Sequence, residues 1–166
     1  MKHIKSIVSL VLVFVLAAAL AACGGNGKAK EYNVDEIADS IAQNVPFEDQ
    51  YIAKLEQRDF ALNLYSIEPD LVAEKDGVKE AAVYISGSSP EMIVCIKAAD
   101  EASAQFVLEA VEGLISTYIT NYTNYGPEQV EKLETAVKIV KGPYVFVTVS
   151  NDNTAAAEHI NGLLEK

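Results

Sequence analysis

Side chains able to do chemistry are scattered through this chain, and their spacing separates catalysis from packing. Glu48, Asp49, Glu56, Asp59, Glu68 and Asp70 supply a run of carboxylates. General acid–base work needs two such groups held at a fixed separation with their pKa values driven apart. In so acidic a chain, a solvated surface is the expected role. Tyr118, Tyr122 and Tyr125 recur at i, i+4 and i+7, which places them on one side of a helix. Aromatic rings so spaced could stack against sugars; the expectation is that they continue a core stripe, with their hydroxyls reaching water. His159 has Ala156 and Leu163 beside it on one helical side and reads as a core-edge residue. Cys95 lies in the apolar run MIVCI, the setting of an inert strand residue rather than of an activated thiol. The chain carries no Gly-x-Ser-x-Gly elbow, no phosphate-cradling glycine loop and no His-Glu-x-x-His. No catalytic residue, metal or cofactor is therefore expected.

The first residues carry a different chemistry. Lys2 and Lys5 precede an almost unbroken run of Ile, Val, Leu, Phe and Ala from Ile7 to Leu20. That run is short for a membrane span, which needs about 20 apolar residues. A charged start, a brief apolar centre and small residues before a cut site describe an export signal. Leu20-Ala21-Ala22-Cys23 resembles the lipobox of bacterial lipoproteins. The resemblance implies that Cys23 receives a diacylglyceryl group through its sulfur. Cleavage just before it, recognised through Leu20, Ala21 and Ala22, would then make it the first residue of the mature chain. An ordinary secretory signal followed by a free cysteine is the alternative. Lasting attachment needs at least two acyl chains, since each buried methylene contributes only about 0.8 kcal/mol. Residues 1–22 are thus expected to be a signal peptide and 23–32 a lipidated flexible tether, leaving 33–166 as a single domain.

Composition narrows the partners. Residues 1–22 hold Lys2, Lys5 and no acid, so the remaining 144 residues carry 11 basic and 24 acidic side chains, a net charge of −13. Such a surface is repelled by nucleic acid and by anionic lipid, so neither is an expected partner for the folded part. With Cys23 acylated, Cys95 is the one thiol left and no internal disulfide can form. A chain of this length supports one domain with a real core.

Local signals outline that domain. Asn33 with Glu36 three residues on marks a helix start, and Val34, Ile37, Ala38, Ile41, Ala42 and Val45 recur on one face until Pro46. DFALNLYSI suggests a short helix with Phe60, Leu64 and Ile67 turned inward, and Pro69 opens a further turn. Two longer stretches, from Glu80 to Val111 and from Thr135 to Lys166, share one pattern. Each has a β-type run, a Gly/Pro turn, a second β-type run and a capped helix. The expectation is an α+β fold: a four-stranded antiparallel sheet from two tandem ββα units, with an additional N-terminal helical segment.

Alternation assigns the sheet's faces. Val83, Ile85, Met92, Val94, Ile96, Val137, Ile139, Val145, Val147 and Val149 are expected on one side, under the helices of both units. The helix after Asp100 offers Ala104, Val107, Leu108, Val111, Leu114, Ile115 and Tyr118 to that side. The opposite side is assigned Tyr84, Ile93, Cys95, Lys97, Lys138, Val140, Phe146 and Thr148. Closed over by the N-terminal helices, it is a second core; left open, Tyr84, Ile93, Lys97, Lys138 and Phe146 form a binding face. Cover is the expected outcome, because the helix at 34–45 needs somewhere to bury its own face.

The lipobox, ALNLYSIEPD, EAAVYIS, EMIVCIKAAD and KGPYVFVTVSND, in that order, resemble a family of small lipoproteins from Gram-positive bacteria known as domain-of-unknown-function family 4358. The resemblance implies no activity, ligand or catalytic residue. It agrees with a non-enzymatic, membrane-anchored extracytoplasmic lipoprotein, an accessory or binding module of the cell envelope. The expected partners are the lipid bilayer, through acylated Cys23, and an envelope protein or cell-wall polymer. A small envelope hydrolase or transferase using carboxylates or tyrosines is the alternative.

Overall fold

A computed structural model describes residues 30–48 and 52–166. Leu20, Ala21, Ala22, Cys23 and Asp49 therefore lie outside the described residues. Helix α1 (Val34–Asn44) starts as its cap requires: Asn33 Oδ1 accepts from the backbone N–H groups of Asp35 and Glu36, and Asn33 Nδ2 donates to Glu36. After it come β1 (Ala53–Lys54), α2 (Arg58–Leu64), a 3₁₀ turn (Pro69–Leu71), and the hairpin of β2 (Glu74–Lys75) and β3 (Val78–Lys79). Asp76 and Gly77, both at positive φ, join that hairpin, as a tight two-residue turn demands. Next are β4 (Ala81–Ile85), β5 (Met92–Lys97), the long α3 (Glu101–Tyr125), a 3₁₀ turn (Pro127–Gln129), α4 (Val130–Glu134), β6 (Val137–Lys141), β7 (Tyr144–Val149) and α5 (Asn153–Glu165).

The α+β class is as expected. The sheet has five strands rather than four, all antiparallel, in the order β1-β4-β5-β7-β6. The fifth, β1, is two residues long, and nothing in its Ala-Lys sequence announces it. Two ββα units do pair through their inner strands β5 and β7, with Val94 opposite Val147.

The helices of those units do not share a side. Helix α3 covers one face, burying Val83, Met92, Val94, Ile96, Val145, Val147 and Val149 under Ala104, Val107, Val111 and Ile115. Helix α5 packs on the other face beside α1, where Ile41, Ile160 and Ala156 meet Ile93, Cys95 and Phe146. Both faces are therefore core. A buried side chain such as Ile93 or Phe146 contributes on the order of 1.5–3 kcal/mol.

Strand β6 also departs from expectation. The two-residue turn at Gly142-Pro143 pairs Lys141 with Tyr144, and hence Val137 with Thr148 and Ile139 with Phe146. An offset of one residue turns every side chain of a strand over. Val137 and Ile139 thus face α1 and α5, while Lys138 and Val140 lie on the α3 side, where Lys138 pairs with Glu112 at 2.9 Å. Phe60, expected inside, is 56 % exposed; Ala61, Leu62 and Tyr65 fill the core in its place.

Candidate functional site

Two ionic clusters hold the charged groups that the fold brings together. The first lies at the end of the sheet where β4 turns into β5. Glu91 immediately precedes the wholly apolar start of β5 and is drawn inside with it, at 1 % exposure. Its two carboxylate oxygens accept from the backbone N–H of Glu48 at 3.0 and 2.9 Å, and one also accepts from Ser89 Oγ at 3.3 Å. Lys132 of α4 donates to Glu91 at 3.2 Å and to Glu48 at 2.5 Å, and Gln129 Nε2 adds 3.1 Å to Glu48. Burial opposes the charge on Lys132, but its bonds to Glu48 and Glu91 prevail and raise its pKa. The Lys132 bond, with that of Gln129, lowers the pKa of Glu48. A buried carboxylate is tolerable only when paired and hydrogen-bonded, and this one is.

The second cluster sits beside β1. Arg58 donates to both oxygens of Asp35, at 2.9 and 3.1 Å, and Lys54 pairs with Asp35 at 2.9 Å and Asp39 at 3.1 Å. The other Arg58 nitrogen donates to the carbonyls of Lys79 and Ala81 at 2.7 and 2.8 Å, closing that stretch of sheet edge. The Tyr84 hydroxyl donates to Asp39, and Lys54 lies over the Tyr84 ring at 5.7 Å. Burial, with the bond to Asp39 adding to it, pushes the Tyr84 pKa up to about 12. Such a phenol holds its proton and positions Asp39; it is a poor nucleophile at neutral pH.

The candidate binding face is divided among several environments. Ile93 and Phe146 are fully buried beneath α1, so they offer nothing to a ligand in solvent. Tyr84 is part of the second cluster. Lys97 pairs with Glu80 at 3.1 Å and lies over the Tyr144 ring, and Lys138 is on the other face altogether. Cys95 is buried at the centre of the sheet, and burial raises its thiol pKa well above the ordinary value. His159 Nε2 meets Ser40 Oγ at 3.0 Å between α5 and α1. Tyr118 and Tyr122 pack edge to face at the core margin, whereas Tyr125 is 91 % exposed. Of Glu48, Glu56, Asp59, Glu68 and Asp70, Glu48 alone joins an ionic cluster among the described residues.

Beside Lys132, a cleft of about 700 Å³ opens between α4 and the start of α5, lined by Glu128, Glu131, Ser150, Asp152 and Asn153 among others. Asn153 ties its floor: it accepts from Ser150 N–H and donates to the Lys132 carbonyl and Thr135 Oγ1. Among the described residues, no group of three or more His, Cys, Asp or Glu is placed to hold a metal ion. Sequence reading missed Glu91, Lys132, Asp35, Asp39, Lys54 and Arg58. One signal did exist: Glu91 abuts a strand apolar on both faces, which forces its carboxylate inward.

These features define an α+β domain with a core on each face of its sheet and its ionic groups mutually paired. The family described as Domain of unknown function (DUF4358) matches residues 63–150, just over half of the chain, and the chain belongs to that family. The match spans α2's end through β7, including Glu91 and Lys132 but not Glu48 or α5. No curated protein and no solved structure matches the chain.

Proposed function

We propose that this protein is a membrane-anchored extracytoplasmic lipoprotein, a non-enzymatic accessory or binding module of the cell envelope. The observation that carries the reading is Leu20-Ala21-Ala22-Cys23 directly after the apolar run Ile7–Leu20 and its two leading lysines. Residues 1–22 are then the signal, 23–32 the lipidated tether and 33–166 the exported domain. Fold geometry supports a binding rather than a catalytic role. The Glu91–Lys132–Glu48 and Asp35–Arg58–Lys54–Asp39 groups spend their bonds on one another, and the cleft beside Lys132 is open and lined by polar and apolar groups alike. A shallow mixed surface suits an envelope protein or a wall polymer.

The test is the intact mass of protein extracted from the membranes of an expressing bacterium. A chain beginning at Cys23 and carrying at least two acyl groups is expected, with Cys23→Ala abolishing the added mass. A bare polypeptide retaining its first residues overturns the proposal.

A further inference from the structure

The two edges of the sheet are finished differently. In an antiparallel pair, residues that exchange both backbone bonds alternate with residues that exchange none, and the latter turn their N–H and C=O groups outward. On β4 the outward carbonyls are taken. That of Val83 accepts from Leu55 N–H at 2.8 Å, and Arg58 holds those of Lys79 and Ala81. Beyond β4 lies β1, whose two residues are too short a run to template a further strand. The opposite edge, β6, is left open. Its two-residue turn makes Lys141 and Tyr144 the first bonded pair, so Ile139 and Val137 also bond β7 while Lys138 and Val140 face out. Among the described residues, no loop or further strand bonds the outward backbone groups of either. Charged side chains can blunt such an edge, but these are engaged elsewhere. Lys138 reaches Glu112 at 2.9 Å, and Lys141 reaches the Leu164 carbonyl at 3.1 Å and lies 5.6 Å from the centre of the Tyr32 ring. Ile139 and Val140 are only partly buried, one against each core.

We propose that β6 is a self-docking edge: two copies of the domain pair β6 with β6 antiparallel about Ile139, joining two five-stranded sheets into one. A mate must meet the outward groups of Lys138 and Val140, which restricts the register. Setting Lys138 opposite Lys138 brings like charges together, and setting Val140 opposite Val140 runs Lys138 into the turn at Gly142. Setting Lys138 opposite Val140 aligns both strands end to end. Each Lys141 then lies opposite Val137 and Ile139 lies opposite itself, with two bonds at each Lys138–Val140 pair. The run Val-Lys-Ile-Val-Lys thus complements its own reverse, as a two-fold contact requires. That self-complementarity points to a second copy rather than to an unrelated strand. The net charge of −13 over residues 23–166 opposes association, but the Lys138–Glu112 pair is neutral and brings little of that repulsion to the contact. Because the β1 edge is closed, the contact ends as a dimer and not as a filament. Five residues at about 3.4 Å each make a contact about 17 Å long, small enough to be reversible. The pairing is independent of the lipid anchor.

The centred register predicts one self-contact that can be trapped. Ile139 would meet its copy as a non-bonded pair with Cα atoms about 4.5 Å apart, inside the roughly 4.4–6.8 Å that a disulfide spans. Lys138 and its copy lie on a diagonal at about 7–8 Å, beyond that span. The test expresses full-length Ile139→Cys and Lys138→Cys in a bacterium and exposes the membranes to copper-catalysed air oxidation. Dimer is read on non-reducing gels, and the wild-type chain, whose Cys95 is fully buried, sets the background. About fivefold more dimer from position 139 than from position 138 is expected. Equal yields, or none above background from position 139, overturn the proposal. Charge at position 140 then separates docking from folding. Added to Ile139→Cys, Val140→Glu sets a carboxylate opposite Lys138 of the second copy, and Val140→Lys sets a like charge there, while both lose the same packing. The Glu variant should crosslink about fivefold more than the Lys variant; equal crosslinking overturns the register.

Discussion

Replacing Lys132 with methionine removes the ammonium that joins Glu48 to Glu91 while keeping most of the side chain's apolar bulk. Glu91 then keeps the Glu48 N–H and the Ser89 hydroxyl, but its carboxylate, with no exposed side-chain surface, has lost the Lys132 ammonium. Breaking a buried pair from one side costs about 3–5 kcal/mol. The retained backbone bond, and the small exposed fraction of Lys132, place this case at the low end, about 3 kcal/mol. With a urea dependence of about 2 kcal/mol/M for a domain of this size, the unfolding midpoint followed by circular dichroism should fall by roughly 1.5 M. Glu91→Gln in the same background should restore part of that loss, because it removes the stranded charge. The double variant should therefore be more stable than the two single effects added together, by at least about 1 kcal/mol. A Lys132→Met midpoint within about 0.3 M of wild type, or strict additivity in the cycle, would refute the picture of a buried and paired Glu91.

Three further outcomes follow from the packing and charge. Thr148 Oγ1 is fully buried on the α1–α5 face with no hydrogen-bond partner among the described residues, so Thr148→Val should raise stability by about 1 kcal/mol; a loss of that size in urea melts would show that the hydroxyl is satisfied. Asp35 has a lowered pKa because its bonds to Lys54 and Arg58 outweigh the opposing effect of burial; Asp39 is lowered chiefly by its bond to Tyr84. Depressed carboxylates contribute stability that is present above their ordinary value of 3.8 and lost as the pH falls through their folded values. Unfolding midpoints should thus drop below about pH 4, and Asp39→Asn should flatten that decline. Gly142 turns at a φ of +56° with room for a methyl group, so Gly142→Ala should cost about 1 kcal/mol from backbone strain alone; an unchanged thermal midpoint would argue against the tight turn.

Much of the fold is written in short-range pattern. The Asn33 cap, the end of α1 before Pro46, the alternating strands and the stripe Ala104-Val107-Val111-Ile115 all follow from interactions within a turn or two of chain. The faces of β4 and β5 were legible for the same reason, since Ile85 pairs with Met92 as the turn between them allows. Where β6 was concerned, alternation established that two faces exist but not which partner each one meets. The two-residue turn pairs its odd-numbered residues with even-numbered ones of β7, which carries Val137 to one core and Lys138 to the other. The side chosen by α5 was equally hidden, because an amphipathic helix specifies that it must be covered and not by which surface.

The ionic site was least legible. Glu48, Glu91 and Lys132 lie 43 and 41 residues apart along the chain and on three different elements or connections. Each alone resembles an ordinary surface charge in an acidic protein. The sequence by itself determined the helix caps, the strand runs and a two-sided demand for cover. Tertiary structure alone decided the register of β6, the helix that closes each face and the meeting of three distant charges inside. Local signals act through bonds a few residues long, whereas a buried ion pair exists only once the whole sheet has brought its partners out of water together.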